Sequence, residues 1–226
     1  MYRHFLKRIF DVVSSGTALL FLSPVLLYIA YLVRTRLGSP VLFIQVRPGK
    51  DNKLFKMYKF RSMTDERDED GNLLPDDVRL TSFGKKLRES SLDELPELIN
   101  IFKGDMSVVG PRPQLVRDMV FFSDEEMRRQ SVSPGLTGLA QISGRNNISW
   151  EEKFKYDLQY IKDISFLEDM RIIYRTVFKV ANQDDINTDG METAEDYGDY
   201  LLRTGKVCKS EYDTKKSLAK ELIDRM

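Results

Sequence analysis

A long apolar segment near the amino terminus constrains the fold of this chain most strongly. It runs from Ile9 to Val33 and carries one charge, Asp11, which we expect to pair with Lys7 or Arg8 one turn away. At ~1.5 Å per residue, a helix of this length reaches across a ~30 Å hydrocarbon layer. No small-residue cleavage site follows the segment. We therefore expect a membrane anchor rather than a cleaved signal peptide.

The residues in and around this segment predict that it enters and leaves the membrane on one side. Ser23 and Pro24 lie near its middle, where proline removes a backbone donor and bends a helix. Basic residues flank both ends, and positively charged flanks remain in the cytoplasm. We therefore predict a re-entrant, monotopic anchor over residues 1–36, broken at Ser23–Pro24. A kinked helix that crosses the membrane is the alternative.

Composition limits the chemistry that this chain can perform. It has 226 residues, and 42% of them are hydrophobic, which is enough for one domain with a core. Its single cysteine, Cys208, and single histidine, His4, exclude an intrachain disulfide, a Cys/His zinc site and catalysis that needs a histidine base. Residues 1–63 contain eleven Lys or Arg against two Asp, which predicts an anionic membrane surface as neighbour rather than nucleic acid. Enzymatic chemistry here would depend on carboxylates and cations.

Local patterns predict the order of secondary structure after the anchor. Two β-rich runs around Pro48 in residues 41–63 predict a hairpin, and acidic, turn-rich residues 64–82 predict an exposed loop. Helices are predicted near 91–103, 124–130, 150–162 and 167–181. The first three begin with capping-box patterns, Ser91/Glu94, Ser123/Glu126 and Ser149/Glu152. The polar residues beyond Ala181 are expected to be loosely attached.

Two adjacent carboxylates, Asp93 and Glu94, are the candidate catalytic and metal-binding residues. Glu94 fits a capping box with Ser91, and acids in a first helical turn are common for structural reasons alone. The helix dipole would also keep Asp93 ionised, as a nucleophile or a metal ligand must be. The pair is therefore compatible with a simple helix start and with catalysis.

Cations near these acids favour the catalytic interpretation. Lys59 and Arg61 alternate in a strand-like run, Arg88 lies one turn before Asp93, and two more arginines follow glycine turns. Together with the acids they predict a site for a phosphate-rich substrate and Mg²⁺, where positioning and charge neutralisation supply most of the catalysis. The candidate phosphate-binding cations are Lys59, Arg61, Arg88, Arg112 and Arg145.

A series of ordered motifs carries a resemblance to a known family. The motifs are KRIFD, SP within the apolar segment, YKFRSM at 58–63, SLDELPELINIFKGDMSVVGPRP at 91–113, SPGLTGLAQISGRN at 133–146, then Trp150 and YDLQYI at 156–161. Over about residues 2–180 the chain resembles the bacterial sugar transferases, and more narrowly the small monotopic polyprenyl-phosphate phosphoglycosyl transferases. Gln141, within the motif at 133–146, joins the candidate substrate-binding residues.

The resemblance implies a reaction and a fold. The chain is expected to transfer a sugar 1-phosphate from a UDP-sugar to polyprenyl (undecaprenyl) phosphate and release UMP, the first membrane step of glycoconjugate assembly. Asp93 would be the nucleophile that carries the phosphosugar, Glu94 its partner near Mg²⁺. The implied fold is a small α/β (α+β) membrane-associated domain with a re-entrant helix, a short β-hairpin and interfacial amphipathic helices. The expected location is the cytoplasmic face of the bacterial inner membrane.

The expected division of the chain is a membrane anchor at 1–36, a catalytic domain at 37–183 and a polar tail at 184–226. Resemblance to the shortest family members, with ISW at 148–150, favours an N-acetylated amino sugar on UDP. Two alternatives remain: a scaffold that binds anionic lipid without catalysis, and a metal-dependent phosphodiesterase that releases sugar 1-phosphate in water. A homodimer is also left open.

Overall fold

The structure, a computed structural model, describes residues 2–144, 148–182 and 195–226. Long and short helices surround two small sheets, which confirms the expected mixed fold class. The strands are β1 (Leu42–Pro48), β2 (Leu54–Phe60), β3 (Ser107–Val109) and β4 (Gly135–Thr137). The α-helices are α1 (Lys7–Arg36), α2 (Asp76–Arg79), α3 (Ser82–Glu89), α4 (Glu97–Lys103), α5 (Val116–Met119), α6 (Asp124–Met127), α7 (Leu139–Ser143), α8 (Trp150–Lys162), α9 (Phe166–Asn182), α10 (Tyr197–Arg203) and α11 (Lys209–Asp224).

Helix α1 contains the apolar segment and continues through Pro24. Its length and composition would allow it to cross a membrane. The predicted interruption of the helix at Ser23–Pro24 is therefore absent. Ser23 Oγ donates to the carbonyl of Leu20 at 2.8 Å, so its hydroxyl bonds within the helix. A local side chain to backbone bond of this kind is compatible with continuous helix.

Polar side chains attach the first turns of α1 to the rest of the chain. Lys7 Nζ lies 2.6 Å from Asp169 Oδ2 in a buried ion pair with α9. Asp11 Oδ1 accepts a hydrogen bond of 2.9 Å from the amide of Val108 in β3. The expected pairing of Asp11 with Lys7 or Arg8 is therefore replaced by a bond to β3, because Lys7 turns to Asp169.

One face of α1 packs on the domain along most of the helix, and the other face is exposed. The packed face contributes Ala18, Leu19 and Leu22 to a core cluster with α4, and Ile29 and Val33 to a cluster with β2 and α3. On the exposed face, Leu20, Phe21 and Leu27 are more than 70% exposed. Large apolar side chains left uncovered along a helix mark an interaction surface.

Two sheets and a buried asparagine hold the elements around the site. Strands β1 and β2 pair antiparallel from Leu42↔Phe60 onwards, which confirms the predicted hairpin, and β3 pairs parallel with β4. Asn100, fully buried in α4, donates from Nδ2 to the carbonyl of Lys56 at 2.8 Å and accepts from the amide of Tyr58 at 3.1 Å. These bonds fix α4 against β2, so residues that precede α4 lie beside the end of the hairpin.

The predicted helices near 124–130, 150–162 and 167–181 are present as α6 with a following 3₁₀ turn, α8 and α9. Both capping boxes form, Ser123 with Glu126 and Ser149 with Glu152. Residues 64–82, predicted to be an exposed loop, also contain α2 and the start of α3. Helix α3 lacked a sequence prediction because only two of its eight residues are buried, Gly84 and Leu87, and Leu87 alone of the two has a side chain.

The carboxyl-terminal residues 195–226 pack on the domain. Tyr197, Leu201 and Tyr212 join a buried cluster with Phe121, Trp150 and Phe154. Ala219 of α11 packs on α5 in a second cluster. The expectation of a loosely attached segment is therefore wrong for 195–226. The predicted boundary at residue 184 lies outside the described residues.

Candidate active site

The segment that carries Asp93 and Glu94 is a tight turn rather than the start of a long helix. Ser91 has a left-handed backbone (φ +55°) and its side chain makes no capping bond. A 3₁₀ turn covers Leu92–Glu94, and α4 begins only after Pro96. The predicted capping box of Ser91 with Glu94, and the continuous helix over 91–103, are therefore wrong. The Glu94 carboxylate is left available for partners elsewhere in the chain.

Glu94 binds two cations from distant parts of the chain. Its Oε1 lies 2.7 Å from Lys59 Nζ at the end of β2 and 2.6 Å from Arg112 Nη2 after β3. Lys59 also approaches Glu97 Oε1 at 3.2 Å. Glu94 thus joins the hairpin, the turn before α4 and the loop after β3 at one point.

The loop after β3 is positioned by close backbone contacts. The amide of Gly135 donates to the carbonyl of Pro111 at 2.9 Å. A Cβ on Gly135 would lie 2.1 Å from the amide nitrogen of Gly110. The two backbone segments can therefore approach this closely only where residue 135 is glycine. The carbonyl of Arg112 accepts from Arg129 Nη2 at 2.7 Å. Arg112 therefore projects towards Glu94 from a loop that is held on both sides.

The two acids have opposite electrostatic environments. Burial raises the pKa of Glu94, but Arg112 and Lys59 outweigh it and hold this pKa well below its usual range. Burial, followed by the charge of Glu94, raises the pKa of Asp93 to about 6, against the influence of Lys59, Arg88 and Arg112. The helix dipole is not what keeps Asp93 ionised, contrary to the expectation, since α4 starts four residues after it. Asp93 remains mostly ionised at pH 7 because its pKa of about 6 lies below that pH.

Glu97 belongs to the site and was not among the sequence candidates. It is 2% exposed, and burial followed by the charge of Glu94 raises its pKa to about 7. Its Oε1 approaches Lys59 at 3.2 Å. The available sequence signal was a third acid within the run from Asp93 to Glu97. In a continuous helix Glu97 would lie on the same side as Asp93 and Glu94, at i+4 and i+3 spacing, so this spacing was a usable signal.

A cavity of about 1600 Å³ brings most of the candidate residues together. Arg88 lines it while its Nε donates to Ser62 Oγ at 2.9 Å. Arg61 lines it too, but its guanidinium donates to the carbonyls of Ser39 and Met63, so it supports the surrounding loops. Gln141 lines it, with Nε2 donating to a backbone carbonyl. The candidate residues that line this cavity are Lys59, Arg61, Arg88, Asp93, Glu94, Arg112 and Gln141; Arg145 lies outside the described residues.

The donor set fits a magnesium ion bound together with a phosphate substrate. In the described part of the chain, no group of three or more Asp, Glu, His or Cys side chains is arranged to hold a metal. Mg²⁺ is commonly held by one or two carboxylates, with substrate phosphates and water as the other ligands. Asp93 and Glu94 supply two adjacent carboxylates, and both cations contact the same Glu94 oxygen, Oε1.

Comparison with known proteins identifies the class. Residues 2–183 match the bacterial sugar transferase family, so the chain belongs to this family, as the motifs predicted. The chain is 50% identical over 190 residues to the "Uncharacterized sugar transferase EpsL" of Bacillus subtilis, covering 84% of this chain and 94% of that protein.

Two further relatives have named reactions. One is the UDP-glucose:undecaprenyl-phosphate glucose-1-phosphate transferase of Klebsiella pneumoniae, 44% identical over 183 residues, which are 76% of this chain and 39% of the relative. The other is the undecaprenyl-phosphate galactose phosphotransferase of Salmonella typhimurium, 37% identical over 197 residues, 80% of this chain and 41% of the relative. The chain thus spans about two fifths of these two longer proteins.

Proposed function

We propose that this chain transfers a sugar 1-phosphate from a UDP-sugar to undecaprenyl phosphate, producing undecaprenyl-diphosphate-sugar and UMP. Family membership and the named reactions of two relatives support this class of reaction. The observation that carries the assignment to a site is the buried Asp93 carboxylate beside Glu94 in a cavity also lined by Lys59, Arg88 and Arg112. The product would enter glycoconjugate assembly.

The different environments of the two acids support Asp93 as the nucleophile. Glu94 has one oxygen bound to Lys59 and Arg112, and its low pKa makes it a weak base. Asp93 has a pKa of about 6, which makes it the more basic carboxylate while it is still mostly ionised at neutral pH. In this arrangement Glu94 positions the two cations, and Asp93 attacks.

The reaction then proceeds in two displacements. An oxygen of Asp93 attacks the β-phosphorus of the donor; the new O–P bond forms as the bond from this phosphorus to the UMP oxygen breaks. A phosphate oxygen of undecaprenyl phosphate next attacks the same phosphorus and releases Asp93. Lys59, Arg88 and Arg112 orient and neutralise the diphosphate. A bound Mg²⁺, held by Asp93 and Glu94, would supply further neutralisation of phosphate charge.

The pKa of Asp93 predicts how the first displacement depends on pH. The ionised form attacks, so single-turnover UMP release should fall as pH drops through about 6, where half of Asp93 is protonated. Arg88→Met removes a charge that lowers this pKa, so the acid limb should move to higher pH. Lys86→Met, an exposed cation in the same helix, is the matched control. An acid limb that stays in place in Arg88→Met would argue against Asp93 as the titrating group.

Contacts along α1 support a monotopic anchor on the cytoplasmic face of the membrane. The helix is bonded to α9 and β3 at its start and packs on β2 and α3 near its end. If α1 crossed the bilayer, α3 would lie in the membrane with it. That helix carries Lys85, Lys86 and Arg88, and each charge in hydrocarbon is costly. An anchor that lies along the membrane with its exposed face in the lipid, without crossing, keeps these charges in water.

The monotopic arrangement predicts that both ends of α1 face the cytoplasm. Cysteines introduced at Arg3 and Arg36 should be equally protected from a membrane-impermeant thiol reagent in intact cells and equally labelled after lysis. The native Cys208 is exposed and serves as the internal cytoplasmic reference. Labelling of one introduced cysteine in intact cells, with Cys208 protected, would establish a helix that spans the membrane.

UMP release tests the function. With undecaprenyl phosphate and Mg²⁺, we expect the protein to release UMP from at least one donor among UDP-N-acetylglucosamine, UDP-glucose and UDP-galactose. The first represents the amino-sugar expectation, and the others match the sugars named for the two relatives. Multiple turnover should require the lipid. No UMP from any donor would favour a non-catalytic scaffold, and sugar 1-phosphate without lipid would favour a phosphodiesterase.

A further inference from the structure

The cavity that contains Asp93 extends to the carboxyl-terminal segment. Glu195 and Asp196, directly before α10, line it together with Asp93 and Arg112. The match to the family ends at residue 183. The structure therefore places residues from outside the family match in the lining of the candidate active site.

Side chains of α5 hold this segment in place. Arg117 binds the Asp196 carboxylate through two nitrogens, with Nε 2.7 Å from Oδ2 and Nη2 2.9 Å from Oδ1. The amide of Tyr197 donates to Asp118 Oδ1 at 2.8 Å. Bidentate arginine–carboxylate pairs fix orientation as well as distance. The segment is thus attached to residues that follow Arg112 closely in the chain.

The same segment orders two further side chains of the cavity. The rings of Trp150 and Tyr197 lie with their centroids 5.0 Å apart, and Lys153 Nζ lies 4.6 Å from the Trp150 ring. Trp150 and Lys153 both line the cavity. Because Tyr197 packs on Trp150, α10 is one of the elements that hold the indole and the neighbouring ammonium in place.

The charges of the lining differ between its two parts. Around Asp93, the cations Lys59, Arg88 and Arg112 suit a diphosphate. Around Asp196 the lining has carboxylates, an indole, the ammonium of Lys153 and the guanidinium of Arg117, which is bound to Asp196. Carboxylates repel phosphate but accept hydrogen bonds from hydroxyl groups, and an indole packs against the apolar face of a ring. The second part therefore suits the uncharged, hydroxyl-bearing portion of a nucleotide sugar.

We propose that the carboxyl-terminal segment is a wall of the donor site and contributes to donor selection. Asp196 and Lys153 contact hydroxyl groups of a donor ring, and Trp150 packs on that ring. The ring is the sugar or the ribose, since both present hydroxyls of the same chemistry. This inference rests on the proposed transfer from a UDP-sugar.

Donor selectivity of the full-length chain tests this proposal. The ratio of kcat/KM values is measured for UDP-sugars that differ in the sugar, and for a UDP-sugar and its 2′-deoxyuridine analogue. In Asp196→Asn and in Lys153→Met, at least one of these ratios should change about tenfold, because a site built to bind a hydroxyl discriminates strongly against its loss. Asp199→Asn, an acid of α10 that bonds to Tyr212, is the matched control and should leave both ratios unchanged.

Each outcome decides the question. A changed sugar ratio assigns the wall to the sugar, and a changed ratio for the deoxy analogue assigns it to the ribose. An equal loss for all donors, or no change, in both variants would mean that the segment has only a structural role and would overturn the inference. If the unmutated protein used no UDP-sugar, the proposed function would be ruled out as well. If the unmutated protein is active and both variants leave the kcat/KM ratios unchanged, only the donor-wall inference is wrong and the proposed function stands.

Discussion

Asp93→Asn should abolish the covalent intermediate and lower turnover on the order of 10³-fold or more. With the donor and Mg²⁺ but no lipid, the unmutated protein should release at most one UMP per chain and gain the mass of one sugar phosphate on the peptide that contains Asp93. The variant should show neither, because its amide lacks the anionic oxygen. Intact-protein mass spectrometry and UMP release measure the two effects.

Loss of folding would not explain that result. Burial raises the pKa of Asp93, which means that the folded state disfavours its charge. The folded state therefore loses stability as pH rises from about 4, the usual carboxyl range, to about 6. At neutral pH the amide should melt at the same temperature as the unmutated protein or above it. Asp163→Asn changes an exposed acid and is the matched control. An adduct that persists in Asp93→Asn, or initial rates that fit a ternary complex, would reduce Asp93 to a metal ligand.

Arg129→Met should destabilise the protein by about 3–5 kcal/mol, the usual cost of breaking a buried ion pair by removing one partner. Arg129 Nη2 lies 2.6 Å from Asp157 Oδ2, and both side chains are 3% exposed or less. The methionine would leave the Asp157 carboxylate buried without its cation. It would also remove the donor to the carbonyl of Arg112, so activity should fall as well. Thermal melting in detergent measures the loss, about 10 °C for a chain of this size.

Two variants control for this effect. Arg225→Met breaks an exposed ion pair with Glu221 and should cost less than about 1 kcal/mol. Adding Asp157→Asn to Arg129→Met removes the uncompensated charge and should recover part of the stability. Equal melting temperatures for the Arg129 and Arg225 variants would contradict a structural role of the buried pair.

The parts of the fold that the sequence predicted depend on local signals. The hairpin follows from β-rich runs around Pro48, and α8 follows from the cap at Ser149 and its helical period. The predicted helix start at residue 91 was wrong because Ser91 and Glu94 fit a capping box locally, whereas in the folded chain Glu94 binds Lys59 and Arg112. Partners that are distant in sequence have no local signal.

The candidate site shows the same limit of local reasoning. Residue type and order selected Lys59, Arg88 and Arg112 as candidates, and the structure brings all three to the cavity of Asp93. The same reasoning could not reveal that burial and Glu94 raise the pKa of Asp93, since both depend on three-dimensional packing. It also missed that residues 195–196 line the cavity, a position that depends on Arg117 and the aromatic packing of Tyr197.

The buried pair of Lys7 and Asp169 has a practical consequence for protein production. Asp169 is fully buried and also accepts a hydrogen bond of 2.7 Å from the hydroxyl of Tyr160. Deleting α1 to obtain a detergent-free enzyme would remove the cation and leave this carboxylate uncompensated inside the domain. Solubility is better sought by exchanging the outward-facing Leu20, Phe21 and Leu27 for polar residues, which leaves Lys7 in place.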